Sequence, residues 1–533
     1  MKHGRHFAWA LGLTLIHGAW AADTGQLPCR NTQECRANAA QLGVASADAG
    51  TYTSAADRQQ DTFYWLNQIN KASAVMLVEA HIFPPETGRV MARGVAYALA
   101  QAQTPEGRRP SDVLQLERIM TDQVGPEASV IHAGRSRQDM YATFRAAQLR
   151  NQTLDFAEAL LGLRERLLAR AADHIDTLMP AYTNGVQAVP VTYAHYLLGY
   201  ESAFGRDQRR LVEAYARLNL SPMGSGVLSG SIWPLDRARL GALLGFDGVV
   251  DNTYDANQII PVDTQLEVSS LAASTATHVG TLMQDLHIQY HQVRPWLLLQ
   301  EGSTYTSSSM PQKRNPGLIT QARMQASDVV GLAQAVDIRF HNVSTGMVDY
   351  KSAVGELGVL PKAVDMVKAT DRVFDALVVD RDRALEELRS DWTSTMNLAE
   401  WLLQAHQIPF RVGHGFASEL VSYARPRGLT PDTIPFTVVA DTFAQTLARF
   451  KLPARAVPMT EAEFRELMSP GWIVAHTQGQ GGPQAQETRR MLGLARQQLA
   501  EDRAWLAQRR SRLAQADQEL DTAFAHLLPP EGR

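Results

Sequence analysis

Four long stretches of helical periodicity dominate this chain. Residues 143–178 are studded with Leu, Ala and Arg, and Gly162 is their one glycine after the start. Residues 266–293 place Leu271, Leu282 and Leu286 on one helix face. Residues 190–218 form a third candidate, with Pro190 expected in the first turn, where its missing N–H breaks no hydrogen bond. Residues 318–340 form a fourth. Strand alternation is scarce, and no repeat of solenoid length recurs. Stripes of this kind must be buried against one another, so the expected class is all-α with a long central helix bundle. A last helical segment, residues 484–528, has Arg and Glu on most faces. It is expected on the surface or against another subunit.

Length and charge narrow the partners. The 533 residues allow about two to four domains. A net charge of −4 and a pI near 6.4 speak against a nucleic-acid partner, which calls for a basic patch. The sequence has no HExxH or CxxC spacing, so neither a metal nor another cofactor is expected. His195 and His278 fall on helical stretches, where a lone histidine reads as a core or surface residue rather than a ligand.

The N-terminus reads as an export signal over residues 1–21. Lys2 and Arg5 form a basic start, and the apolar residues 7–16 are too few to span a bilayer. Ala19-Trp20-Ala21 is a small-x-small cleavage site, so the chain is expected to be cut after Ala21, to reach the periplasm or the exterior, and to keep no membrane anchor. Residues 22–55 read as a flexible arm. They hold both cysteines, Cys29 and Cys35. In an oxidising compartment these can close a small disulfide loop, and free thiols remain the alternative.

Between two helical stretches lies a polar loop, residues 302–317. It contains Ser307-Ser308-Ser309-Met310-Pro311-Gln312-Lys313-Arg314-Asn315-Pro316. Hydroxyls, a cation, an amide and free backbone N–H groups within ten residues can bind a carboxylate. They can also stabilise charge that builds on it and take a proton from the adjacent carbon. The order resembles the GSSxMPxKxNP signature of the fumarase/aspartase superfamily.

A second segment narrows the resemblance. His132-Ala133-Gly134-Arg135-Ser136-Arg137-Gln138-Asp139 is similar to the HTGRSRND motif of argininosuccinate lyases. Further matches follow in order: Met179-Pro180-Ala181-Tyr182-Thr183, Pro222-Met223-Gly224-Ser225-Gly226, Pro234-Leu235-Asp236-Arg237 and Ile408-Pro409-Phe410-Arg411 with His414. The resemblance implies a three-domain lyase fold, placed here at residues 56–135, 136–393 and 394–533, assembled as a homotetramer with sites built from several chains. It implies a carbon–nitrogen lyase that releases fumarate from argininosuccinate or another N-substituted aspartate, a small dicarboxylate or amino-acid substrate. Ser307 would be the base and Lys313 the ammonium that steadies its alkoxide. Ser308 and Asn315 would contact the carboxylate beside the reacting carbon. Ser136, Arg137 and Gln138 would hold the other carboxylate, with Thr183 and Asn184 adding contacts.

The chain departs from the family at several places. Gln138 stands where asparagine is usual, and Thr306 where glycine is usual. Asn184 and Thr320 stand where the family has a histidine and its supporting glutamate. Residues 346–351 match the family's YNKD stretch only loosely. Two other readings therefore stay open. One is a catalytically altered or inactive binding protein on a lyase scaffold. The other is a carbon–oxygen lyase of fumarase type.

Overall fold

The computed structural model describes residues 61–104, 107–347 and 351–528. The expected signal peptide and the arm with Cys29 and Cys35 lie outside these residues. Among the described residues, no helix is long and apolar enough to cross a membrane.

Helices α1 (Thr62–Glu79), α2 (Pro85–Gln101) and α3 (Val113–Val124) open the described chain. Asp61 and Asp112 cap α1 and α3 by accepting first-turn N–H groups that have no partner inside the helix. Leu66, Ile69, Met91, Val95 and Leu116 form a buried cluster there, joined by Met223, Leu243 and Phe246 from later in the chain.

Five helices make the bundle: α4 (Arg137–Asp173), α5 (Tyr193–Leu218), α6 (Ile260–Gln289), α7 (Gly317–Phe340) and α8 (Val359–Ala376). Their stripes meet in one core that includes Leu160, Leu167, Phe204, Leu211, Val279, Leu282, Leu286, Val329 and Phe374. Burying one such side chain contributes about 1.5–3 kcal/mol relative to leaving it exposed.

Pro190 is not in a helix. It lies in strand β2 (Val186–Thr192), opposite Pro180 of β1 (Leu178–Thr183) in a two-stranded antiparallel ribbon. The connection is Asn184-Gly185, with φ of 50° and 77°. Two successive left-handed residues make a type I′ turn, whose twist suits a hairpin. Proline is tolerated because a ribbon leaves outward N–H positions unpaired. Helix α5 starts only at Tyr193, where Thr192 Oγ1 accepts the His195 N–H at 3.2 Å.

Helices α9 (Thr395–His406), α10 (Phe410–Ala424) and α11 (Phe436–Arg449) surround a third buried cluster that includes Leu402, Phe416, Leu420 and Phe443. The final helix, α12 (Ala485–Ala525), packs on its own chain. Leu492, Leu499 and Leu506 enter the bundle core, and Leu520 and Phe524 enter the α1–α3 cluster.

Candidate active site

The first group of expected site residues opens α4. Ser136 is the N-cap: its Oγ accepts the Gln138 N–H at 3.2 Å, and its own N–H donates to Asp139 Oδ1 at 2.8 Å. Asp139 is fully buried, and its Oδ2 also accepts the N–H groups of Gly224 and Gly226. Burial pushes its carboxyl up to about 7, against the pull of these N–H donors and of the Arg135 charge. Arg137 stays exposed, with Asp112 as a loose partner at 3.9 Å. Its guanidinium is therefore presented at a helix N-terminus, a place that favours anions. Gln138 Oε1 accepts from Lys351 Nζ at 3.4 Å.

The second group, Thr183 and Asn184, stands exposed at the tip of the β1–β2 hairpin. The third is the polar loop, which folds back as a short hairpin, β3 (Tyr305–Thr306) pairing with β4 (Arg314–Asn315). Ser307 Oγ accepts two backbone N–H groups, from Met310 at 3.2 Å and Ser309 at 3.4 Å. Ser308 and Lys313 are exposed at the tip. Asn315 Nδ2 donates to the Tyr305 carbonyl at 3.2 Å, which fixes the base of the loop. Thr306 lies in β3 opposite Arg314 and is not a positive-φ residue, so no angle reserved for glycine is needed there. Thr320 sits in the first turn of α7.

Among the described residues, no hydrogen bond or ion pair links these three groups within one chain. The α4 group does meet one residue that sequence reasoning left unassigned, Lys351. Lys351 falls in the loosely matching stretch after the bundle helix, the one signal that could have found it. Burial and the nearby Arg145 charge lower its ammonium to about 8. His195 and His278 are held inside the chain, by the Gly481 carbonyl at 2.9 Å and by Asp207 at 2.8 Å.

Known proteins share this architecture. A family profile described as "Lyase" matches residues 97–331. Argininosuccinate lyase of Haloarcula marismortui is 30% identical over 459 residues, covering 84% of this chain and 88% of that protein. Argininosuccinate lyase 2 of Shouchella clausii is 28% identical over 449 residues, covering 81% and 91%. A crystal structure of EDDS lyase in complex with formate superposes with a TM-score of 0.78 at 26% identity, covering 88% of this chain and 92% of that one. Fold and relatives together define a carbon–nitrogen lyase on a helix-bundle scaffold. Within that class, the chain belongs to the fumarase/aspartase superfamily as an argininosuccinate lyase-like member.

Proposed function

We propose that this lyase is exported and releases fumarate by β-elimination from argininosuccinate or another N-substituted aspartate. The observation that carries this reading is the Ser307 hydroxyl, cradled by the Ser309 and Met310 N–H groups on a loop that also bears Lys313. A serine hydroxyl is a weak base unless its alkoxide is stabilised. Two N–H donors and one ammonium supply that stabilisation when the loop closes over substrate and water leaves. Ser307 then takes the proton from the carbon beside a carboxylate and charge moves onto that carboxylate. The electron pair returns to form the double bond of fumarate as the carbon–nitrogen bond breaks, and the substrate nitrogen, protonated before the bond breaks, leaves as the neutral amine. Lys313, Ser308 and Asn315 hold the developing dianion. Arg137, with Ser136, Gln138 and Thr183, grips the second carboxylate, Arg137 in two-pronged fashion.

The three groups share no hydrogen bond or ion pair within one chain among the described residues, and a site that excludes water needs them together. This supports a homotetramer in which neighbouring subunits complete each site. Export is supported by residues 1–21, and the mass of protein from a periplasmic extract tests cleavage after Ala21.

Fumarate absorbance with a panel of N-substituted aspartates tests the activity. The Ser307→Ala variant is expected to lose release by about 100-fold or more while keeping its fold. If folded, tetrameric protein yields no fumarate from any of them, the reading fails. In that case the second reading, a binding protein on a lyase scaffold, gains weight from Asn184 and Thr320, which replace the family's histidine–glutamate pair.

A further inference from the structure

We infer that Asn184-Gly185, at the tip of the β1–β2 hairpin, is a site of spontaneous deamidation that inactivates the enzyme as it ages. The modification follows from the chemistry of the tip alone. Its effect on activity rests on the elimination reading above, which sets the tip beside the substrate.

Asn-Gly occurs once in the 533 residues. Deamidation begins when the backbone nitrogen that follows an asparagine attacks the side-chain amide carbon. A side chain on the following residue shields that nitrogen, and glycine has none. The surroundings leave the tip open as well. Asn184 is exposed, and a Cβ built on Gly185 would meet nothing within 4 Å. Among the described residues, neither the Asn184 side chain nor the Gly185 N–H has a hydrogen-bond partner. A second exposed asparagine with positive φ, Asn342 at 61°, is followed by Val343. The stiff branched side chain of Val343 covers the nitrogen there. Asn342 is therefore an internal control for the glycine.

The step balances without a cofactor. A base in solution takes the proton from the Gly185 N–H, and the nitrogen bonds to Asn184 Cγ. The side-chain nitrogen takes up a proton and leaves as ammonia, so residues 184 and 185 are joined in a succinimide ring. Water then opens the ring at either carbonyl, leaving aspartate or isoaspartate.

Both products disturb the tip. Aspartate adds a negative charge next to Thr183, where an anionic substrate is to be held, and like charges at close range repel. Isoaspartate routes the main chain through the side-chain carbons and lengthens it by one methylene. Asn184 and Gly185 form a two-residue turn between the paired Thr183 and Val186, a connection with no slack for an extra carbon. Thr183 is then displaced.

The test ages the folded full chain in warm, mildly alkaline buffer. Peptide masses follow each asparagine, and an isoaspartyl methyltransferase labels isoaspartate. Asn184 is expected to convert first, while Asn342 stays intact. Fumarate release should fall in step with the converted fraction. Asn184→Gln, which must close a larger ring, should show no decline from its own starting rate over the same period. Asn184→Asp should begin with kcat/KM lowered by about tenfold or more. An Asn184 that stays intact in the folded chain, or an Asn342 that converts as fast, overturns the proposal. Converted protein that releases fumarate at the full rate overturns the inactivation. If no fumarate forms from any substrate at the outset, the masses alone decide the modification, so its failure and that of the elimination reading are told apart.

Discussion

Asp139 accepts the backbone N–H of Gly226 at 3.0 Å, joining residues 87 apart in sequence. The same carboxylate holds the N–H groups of Gly224 and Ser136, so one buried side chain fastens a glycine turn to the start of the helix that presents Arg137 and Gln138. Gly226 has φ of +64°, and a Cβ there would lie 2.7 Å from the Gly230 carbonyl oxygen. Turn and carboxylate are thus mutually fixed.

Asp139→Ala should therefore strand three N–H donors, two of them in the buried turn. A loss of at least about 3 kcal/mol is expected, since each orphaned buried donor costs about 1–3 kcal/mol. Urea unfolding measures it. Asp139→Asn keeps one acceptor oxygen and should lose less. A loss below about 1 kcal/mol for the alanine variant would show that the turn holds its shape unaided.

Much of this was legible in the sequence, and the gaps have physical causes. The bundle helices announce themselves because each must bury a stripe along its whole length. The hairpin at residues 178–192 does not, because its strands are short and their burial does not alternate residue by residue. Asn184-Gly185 was the available signal, and Pro190 drew the reading toward a helix start. The packing of α12 was hidden by its charges. Leu492, Leu499, Leu506, Leu513 and Leu520 recur every seven residues, a narrow seam among arginines and glutamates. The motif residues Ser136, Ser307 and Asn315 are placed by caps and turns that local sequence encodes. Lys351 and Gln138 meet through tertiary packing alone, which no local pattern records.

The replaced pair at positions 184 and 320 offers a coupling test. Asn184 has φ of 50°, a left-handed conformation that histidine tolerates better than most residues, so Asn184→His can fold. A histidine there without a carboxylate partner has little to orient it, and a glutamate at position 320 without a cation gains nothing. Each single variant, Asn184→His or Thr320→Glu, is expected to change fumarate release by less than about threefold. Combined, they should change it by about tenfold more than the product of the singles, as coupled sites do. Strict additivity would show that the two positions do not meet in the assembled enzyme.

His174 gives the fold a pH dependence. It is buried at the junction of α4 and β1, its Nδ1 3.0 Å from Thr177 Oγ1 and its ring edge-on to Tyr193. Burial, then the Arg170 and Arg381 charges, lowers it to about 4, against 6.5 in the unfolded chain. The unfolded state therefore binds a proton first as pH falls. Stability is complete above pH 6.5 and drops down to about pH 4, by up to about 3 kcal/mol. Comparing thermal unfolding of the wild type and of His174→Gln at pH 7.5 and pH 4.5 checks this. The variant should lose less on acidification, and equal losses would assign the acid sensitivity elsewhere.

The clasp that docks α12 can be tested in the same terms. Arg164 is almost wholly buried on α4, where its Nε donates to Glu201 of α5 at 2.9 Å and its Nη1 to Asp502 of α12 at 2.6 Å. One guanidinium thus donates to two buried carboxyl groups on two other helices, and burial together with the Asp502 charge pushes the Glu201 carboxyl up. Removing it leaves both without a counter-charge, a loss of about 3–5 kcal/mol for a broken buried pair. Arg164→Met should show that loss in urea unfolding, and α12 should become the first segment to exchange its amide protons. The triple variant Arg164→Met, Glu201→Leu, Asp502→Leu removes every charge and keeps similar volume, so it should recover most of the stability. If Arg164→Met costs no more than about 1 kcal/mol, the apolar seam of α12 alone holds the helix in place.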